Sequence, residues 1–103
     1  MSRRKQDEYT SEADVKDAIK KLLKKYGWWF FMPAANQFGS SGIPDFVCCK
    51  TGRFLGIEAK FNKNKPSELQ KDKMQAIRDH GGIAIWVNEN RLYLLEALLR
   101  KLN

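Results

Sequence analysis

Histidine and cysteine are nearly missing from this chain: His80 stands alone, and Cys48 and Cys49 are adjacent. A structural zinc site draws four ligands largely from those two residue types, so none is expected. Adjacent cysteines on a strand point to opposite faces and are badly placed to bridge each other, so the expected setting is reducing and cytoplasmic. Long apolar runs are missing too. Stretches such as Trp28-Trp29-Phe30-Phe31-Met32 fall far short of the roughly 18 residues that cross a bilayer. The polar start, Met-Ser-Arg-Arg-Lys-Gln-Asp-Glu, argues against a signal peptide. There is no internal repeat and no low-complexity segment. Acidic residues are outnumbered, 12 against 19 lysines and arginines, which leaves a net charge of +7. That balance favours an anionic partner, nucleic acid first and a membrane surface second. A chain of 103 residues is expected to form one domain with a modest core, here over 10–103, preceded by a polar basic tail over 1–9.

The rest is organised around residues 42–60. Two short apolar runs flank a polar turn over 50–53 with Gly52 at its third position, which is a β-hairpin pattern. If Cys49 pairs with Phe54, Asp45 falls opposite Glu58. Opposed residues share a face and successive residues alternate, so Asp45, Glu58 and Lys60 lie on one face. Phe46, Cys48, Leu55 and Ile57 lie on the other, which is wholly apolar and is expected to face the core. A bulged three-residue loop would shift the register by one and break the Asp45–Glu58 opposition. Two facing carboxylates repel unless a positive charge lies between them. A hard divalent cation such as Mg2+ or Mn2+ fits, because magnesium takes one or two protein carboxylates and completes its shell with water and phosphate oxygens. Lys60 adds a point charge at the same place. Carboxylate pair, metal and lysine together suit phosphodiester hydrolysis. The plainer reading is a strand with ordinary surface charges and a Glu-Lys neighbour pair.

Pro44-Asp45 followed by Glu58-Ala59-Lys60 resembles the signature of the PD-(D/E)xK nuclease superfamily. The longer run Gly42-Ile43-Pro44-Asp45, the Glu-Ala-Lys, and Gln70 after Ser67 are similar to its VRR-Nuc branch in particular. Archaeal-type Holliday-junction resolvases share much of the pattern and are the nearest competing assignment. The likeness covers residues 12–87. It implies a restriction-endonuclease-like core, with Asp45 and Glu58 as metal ligands, the Ala59 backbone carbonyl as a further ligand, and Lys60 assisting the nucleophilic water. It also brings Glu12 to the metal, directly or through water, and assigns Gln70 to the active site.

Other stretches carry two readings each. Arg3, Arg4 and Lys5 belong to a disordered tail or to a basic arm on a phosphate backbone. Thr10 or Ser11 caps a helix to about Tyr26, with Val15, Ile19, Leu22 and Tyr26 as its apolar stripe. Glu12 lies on that face, although the helix dipole alone would favour an acid there. Residues 28–32 read as a strand buried on both faces, used for core packing or a subunit interface before base stacking. In the loop over 34–42, glycines and small polar residues let a backbone approach a phosphate, so Ser40 and Ser41 are candidate nucleic-acid contacts. Relatives in the resembling family carry a basic residue near there, and this chain does not. Ser67 starts a helix to about His80, and Ser67-x-x-Gln70 fits a capping box, a sufficient structural reason for Gln70. Yet Gln70 shares a face with Met74 and Ile77, toward the sheet. Lys63, Lys65, Lys71 and Lys73 gather near the same end, as a solvated face or as DNA-backbone contacts. Residues 83–87 form another buried strand. A terminal helix follows, with Leu95, Leu98, Leu99 and Leu102 as its stripe.

The expected fold is α/β, a mixed central sheet flanked by helices, with the helix before 83–87 as a right-handed crossover joining parallel strands. The expected function is metal-dependent, structure-selective DNA endonuclease activity on branched or duplex DNA, with a homodimer resolving four-way junctions. One centre cuts one strand, so two-strand cutting calls for two centres in fixed relation. Residues 28–31 and the leucine-rich last helix offer apolar material for that interface. The alternatives are a monomeric flap or nicking nuclease, and an inert DNA-binding domain of the same fold.

Overall fold

Local signals set the ends of the helices. Ser11 accepts a hydrogen bond from the Asp14 N–H and starts α1, Glu12–Lys25. Gly27, at φ +76°, turns the chain out of it. Ser67 and Gln70 form a complete capping box at the start of α2, Glu68–Asp79. The third helix, α3, spans Leu92–Lys101. The computed structural model describes residues 5–34 and 41–103. Arg3, Arg4 and Ser40 lie outside the described residues. Among those described, no helix is long and apolar enough to cross a membrane.

The four strands are β1 (Trp29–Phe31), β2 (Phe46–Lys50), β3 (Arg53–Ala59) and β4 (Ile83–Val87), in that order across one sheet. The first two pairings are antiparallel, and β3–β4, joined through α2, is parallel. The β2–β3 register is the expected one, with Phe46 opposite Ile57, Cys48 opposite Leu55 and Cys49 opposite Phe54. A two-residue turn sets it: Thr51 at φ +47° and Gly52 at φ +82° supply the two left-handed positions that a type I′ hairpin needs. Phe46, Cys48, Leu55 and Ile57 are fully buried against Val15, Ile19 and Leu23 of α1 and Leu92, Leu95 and Leu99 of α3. The α2 helix packs on the opposite face. Gly56 makes room there, since a Cβ would stand 3.0 Å from Ile77 and 3.1 Å from Pro44.

Four expectations change. The tail does not end at residue 9, because Tyr9 is buried in the core cluster and 6–8 form a short 3-10 turn. On α1 the fully buried position after Ile19 is Leu23, with Leu22 and Tyr26 at the margin. The run 28–32 is not buried on both faces. It contributes a three-residue edge strand, with Trp28 inside while Trp29 is 64% and Phe31 47% exposed. Sheet order explains this: β1 lies at the sheet edge, and the exposed Trp29 and Phe31 alternate with the half-buried Phe30 between them. Lastly, Leu95 and Leu99 of α3 fill the core, with Leu98 and Leu102 packed at its margin, so that stripe is not free surface.

Thr51 is a β-branched residue in a left-handed position, a backbone state that favours Gly, Asn and Asp. Thr51→Asn should therefore stabilise the fold by about 1 kcal/mol, raising the thermal midpoint by roughly 4–8 °C. Calorimetry checks this, and an unchanged or lower midpoint would show the turn to be unstrained.

Candidate active site

The strands and the capped helix converge on one end of the β2–β3 hairpin. Gly42, at φ +82°, lets the chain pass against α2, where a Cβ would lie 2.9 Å from the Leu69 carbonyl oxygen. Pro44 is buried and seats over Gly56. The Gly42-Ile43-Pro44 run thus delivers Asp45 just before β2, at the place the hairpin register puts opposite Glu58.

Asp45 is held by Ala59, whose N–H donates to Oδ2 at 2.8 Å. Ala59 is fully buried at the end of β3. Glu58 is only 2% exposed. Its Oε2 accepts a hydrogen bond from Gln70 Nε2 at 2.8 Å and lies 3.5 Å from Lys60 Nζ. Its Oε1 is buried and accepts no hydrogen bond among the described residues, and the carboxyl is close enough to that of Asp45 for the two to share a proton. Burial first, and the neighbouring Asp45 carboxylate second, push the Glu58 carboxyl up to about 7, while Lys60 pulls the other way. Two acids are thus held together where at most part of their charge is balanced.

Gln70 does both jobs offered by the sequence. Its Oε1 accepts from the Ser67 N–H at 2.9 Å, closing the capping box, and its amide nitrogen orients Glu58. Glu12 is different. Its carboxylate pairs with Lys16 at 3.4 Å, and Lys16 lies 3.7 Å from Asp45 Oδ1, so Glu12 is joined to the carboxylate pair through Lys16. Lys16 is the residue that sequence reasoning missed. The one available signal was its spacing of four from Glu12 on the same helix. Lys63 and Lys65 are exposed on the loop between β3 and α2. Lys71 is exposed and pairs with Glu68 at 3.4 Å. Lys73 lines an apolar groove of about 480 Å³ with Ile43, Phe54 and Ile77. Lys63 and Lys65 thus lie on the loop, and Lys71 and Lys73 on α2. Ser41 is exposed, and His80 hydrogen-bonds through its Nδ1 to the Ala76 carbonyl, away from the carboxylates.

The donor set fits a hard cation. A buried carboxylate oxygen without a partner beside a second carboxylate is the arrangement a divalent ion would satisfy, and magnesium needs only one or two protein carboxylates. No group of three or more His, Cys, Asp and Glu side chains converges among the described residues, so an all-protein cage is not present there. Comparison with models of known protein families and with curated proteins finds no match.

A raised carboxyl pKa has a sign that can be tested. The stability linked to a protonated Glu58 is intact below its ordinary 4.5 and is lost as pH rises to about 7. Without metal at pH 8, Glu58→Gln should be more stable than wild type by up to roughly 3 kcal/mol, with the difference vanishing near pH 4. Magnesium should then raise the unfolding midpoint of wild type and leave that of the variant unmoved. Urea unfolding at both pH values reads this directly. A variant no more stable at pH 8 would mean that Glu58 is better solvated than its burial implies.

Proposed function

We propose that this chain is a magnesium- or manganese-dependent, structure-selective DNA endonuclease of the PD-(D/E)xK type, with a restriction-endonuclease-like core, similar to the VRR-Nuc branch. The observation that carries the proposal is the buried Glu58 beside Asp45, with one oxygen that accepts no hydrogen bond among the described residues. Asp45 and Glu58 would hold the ion, beside the Ala59 carbonyl. Such an ion, when bound, supplies Lewis-acid activation of water and of the phosphoryl oxygen. The rest falls to the protein. Lys60, three-quarters or more shielded from solvent, directs its ammonium to the Glu58 side, where it can donate to the attacking water or to the developing charge on phosphorus. Gln70 keeps Glu58 in one rotamer from the rigid first turn of α2. Ala59 N–H does the same for Asp45. Lys16, with Glu12 behind it, steadies the outer oxygen of Asp45.

A net charge of +7 and the exposed Lys63, Lys65 and Lys71 favour DNA as the anionic partner. Free thiols at Cys48 and Cys49 are in keeping with a reducing cytoplasm. The homodimer reading draws on the exposed apolar residues of the edge strand. The Trp29 and Phe31 rings pack 5.7 Å apart, and Cys49 and Phe54 continue the Trp29 row across the sheet.

Asp45→Ala, Glu58→Ala and Lys60→Ala should each lower magnesium-dependent cleavage of a four-way junction by roughly 10²–10⁴-fold while keeping the fold. A panel of junctions, flaps, forks, duplexes and single strands, with and without magnesium, tests this. Binding without cutting by wild type would leave an inert DNA-binding domain. Lys60→Ala cutting at wild-type rate would sink the assigned chemistry.

The dimer has a separate check. Trp29→Glu should convert the species seen in sedimentation equilibrium from a dimer to the 12.0 kDa monomer and abolish paired cuts. A wild-type monomer that nicks flaps efficiently would replace the junction-resolving role.

A further inference from the structure

One cation near the carboxylate pair has no acidic partner among the described residues and no role in the account above. Trp86 is the cross-strand neighbour of Glu58 in the parallel β3–β4 ladder, so the indole and the carboxylate project from the same face of the sheet. The guanidinium of Arg91 lies over that indole, 4.2 Å from the ring centroid. Its Nε donates to the Trp86 carbonyl oxygen at 3.2 Å. Among the described residues the two Nη groups have neither a hydrogen-bond acceptor nor a carboxylate. Ring contact and backbone bond together hold the planar group of this half-buried residue in one orientation. Adjacent strands lie about 4.8 Å apart, so the guanidinium sits on the order of 10 Å from Glu58, comparable to about three steps of rise along one DNA strand.

Local chemistry argues that this placement is not incidental. Arg91 is the N-cap residue of α3 and makes no side-chain capping bond. That position favours Ser, Thr, Asp or Asn, and a positive charge there opposes the helix dipole. The stack on Trp86 and the bond to its carbonyl occupy one face and the Nε of the guanidinium, and neither uses the two Nη groups. A stacked, pre-oriented guanidinium is the usual binder of a phosphodiester through two parallel N–H donors.

Resting on the nuclease reading, we infer that Arg91, braced on Trp86, binds a backbone phosphate of the DNA strand next to the one cut. The path of the DNA therefore runs from Asp45 and Glu58 across β4 toward the start of α3. Trp86 is a positioning residue in this arrangement, since it holds Arg91 flat and leaves the phosphate to the guanidinium.

Anisotropy titration of a four-way junction with the full chain, in EDTA over a salt series, tests this. Arg91→Gln should weaken binding about fivefold to tenfold and reduce the slope of log K against log salt by about 1. In magnesium the loss should appear in KM more than in kcat. Trp86→Leu should give a similar loss of affinity, and Arg91→Lys, which keeps the charge but not the planar stack, should recover only part of it. Thermal midpoints report folding for each variant, and Arg91→Lys keeps the test informative if Arg91→Gln unfolds. Wild-type affinity and slope in Arg91→Gln, with cleavage by wild type intact, would overturn the assignment of Arg91 alone. A wild-type protein that neither binds nor cuts the junction would overturn the nuclease reading and this inference with it.

Discussion

The site depends on a register, and the register depends on two residues. Thr51 and Gly52 close β2 onto β3 with both backbones in the left-handed region, which permits a two-residue turn and no bulge. A slip of one residue would carry Asp45 away from Glu58 and drive Phe46 and Cys48 out of the core. The four buried residues on the core face, packed under α1 and α3, therefore resist the slip that would dismantle the carboxylate pair on the other face. Core packing and the carboxylate pair are two faces of one hairpin, and neither can move without the other.

What makes the pair more than two surface acids is burial. Glu58 lies in the interior of the mixed sheet, between β2 and β4, with α2 above it and Gln70 at hydrogen-bond distance. Little solvent reaches the carboxylate, so its charge has to be met by Lys60, by Gln70, or by a cation. The protein groups present meet one oxygen and leave the other bare among the described residues. Stability is thus given up at this point when Glu58 is ionised.

The hairpin, both helix caps on either side of it, and the parallel crossover were legible because each is a short-range pattern. Alternation over 45–49 and 54–58 identifies faces, a glycine at the turn identifies register, and Ser67 with Gln70 identifies a helix start. The run 28–32 was misread for the same reason. Continuous apolar residues resemble a strand covered on both sides, yet whether a strand is covered depends on where it falls in the sheet, and β1 falls at the edge. Glu12 was placed on the correct side of α1, but its partner was not foreseen. A side chain's nearest charge across space is not written in its own periodicity, and Lys16 intercepts it before Asp45.

Sequence alone therefore determined the alternation of faces, the turn and the caps, which follow from steric and hydrogen-bonding preferences within a few residues of one another. It also proposed Asp45, Glu58 and Lys60 from that alternation, and Gln70 from the family resemblance. Tertiary structure alone decided that Glu58 is buried enough to hold its proton to about 7, that Gln70 serves cap and carboxylate at once, and that Trp29 and Phe31 stay exposed. It also decided that Trp86 stands beside Glu58 with Arg91 stacked upon it. Those outcomes depend on strand order and on contacts between residues far apart in the chain, where desolvation and Coulomb forces act through space and leave no period in the sequence.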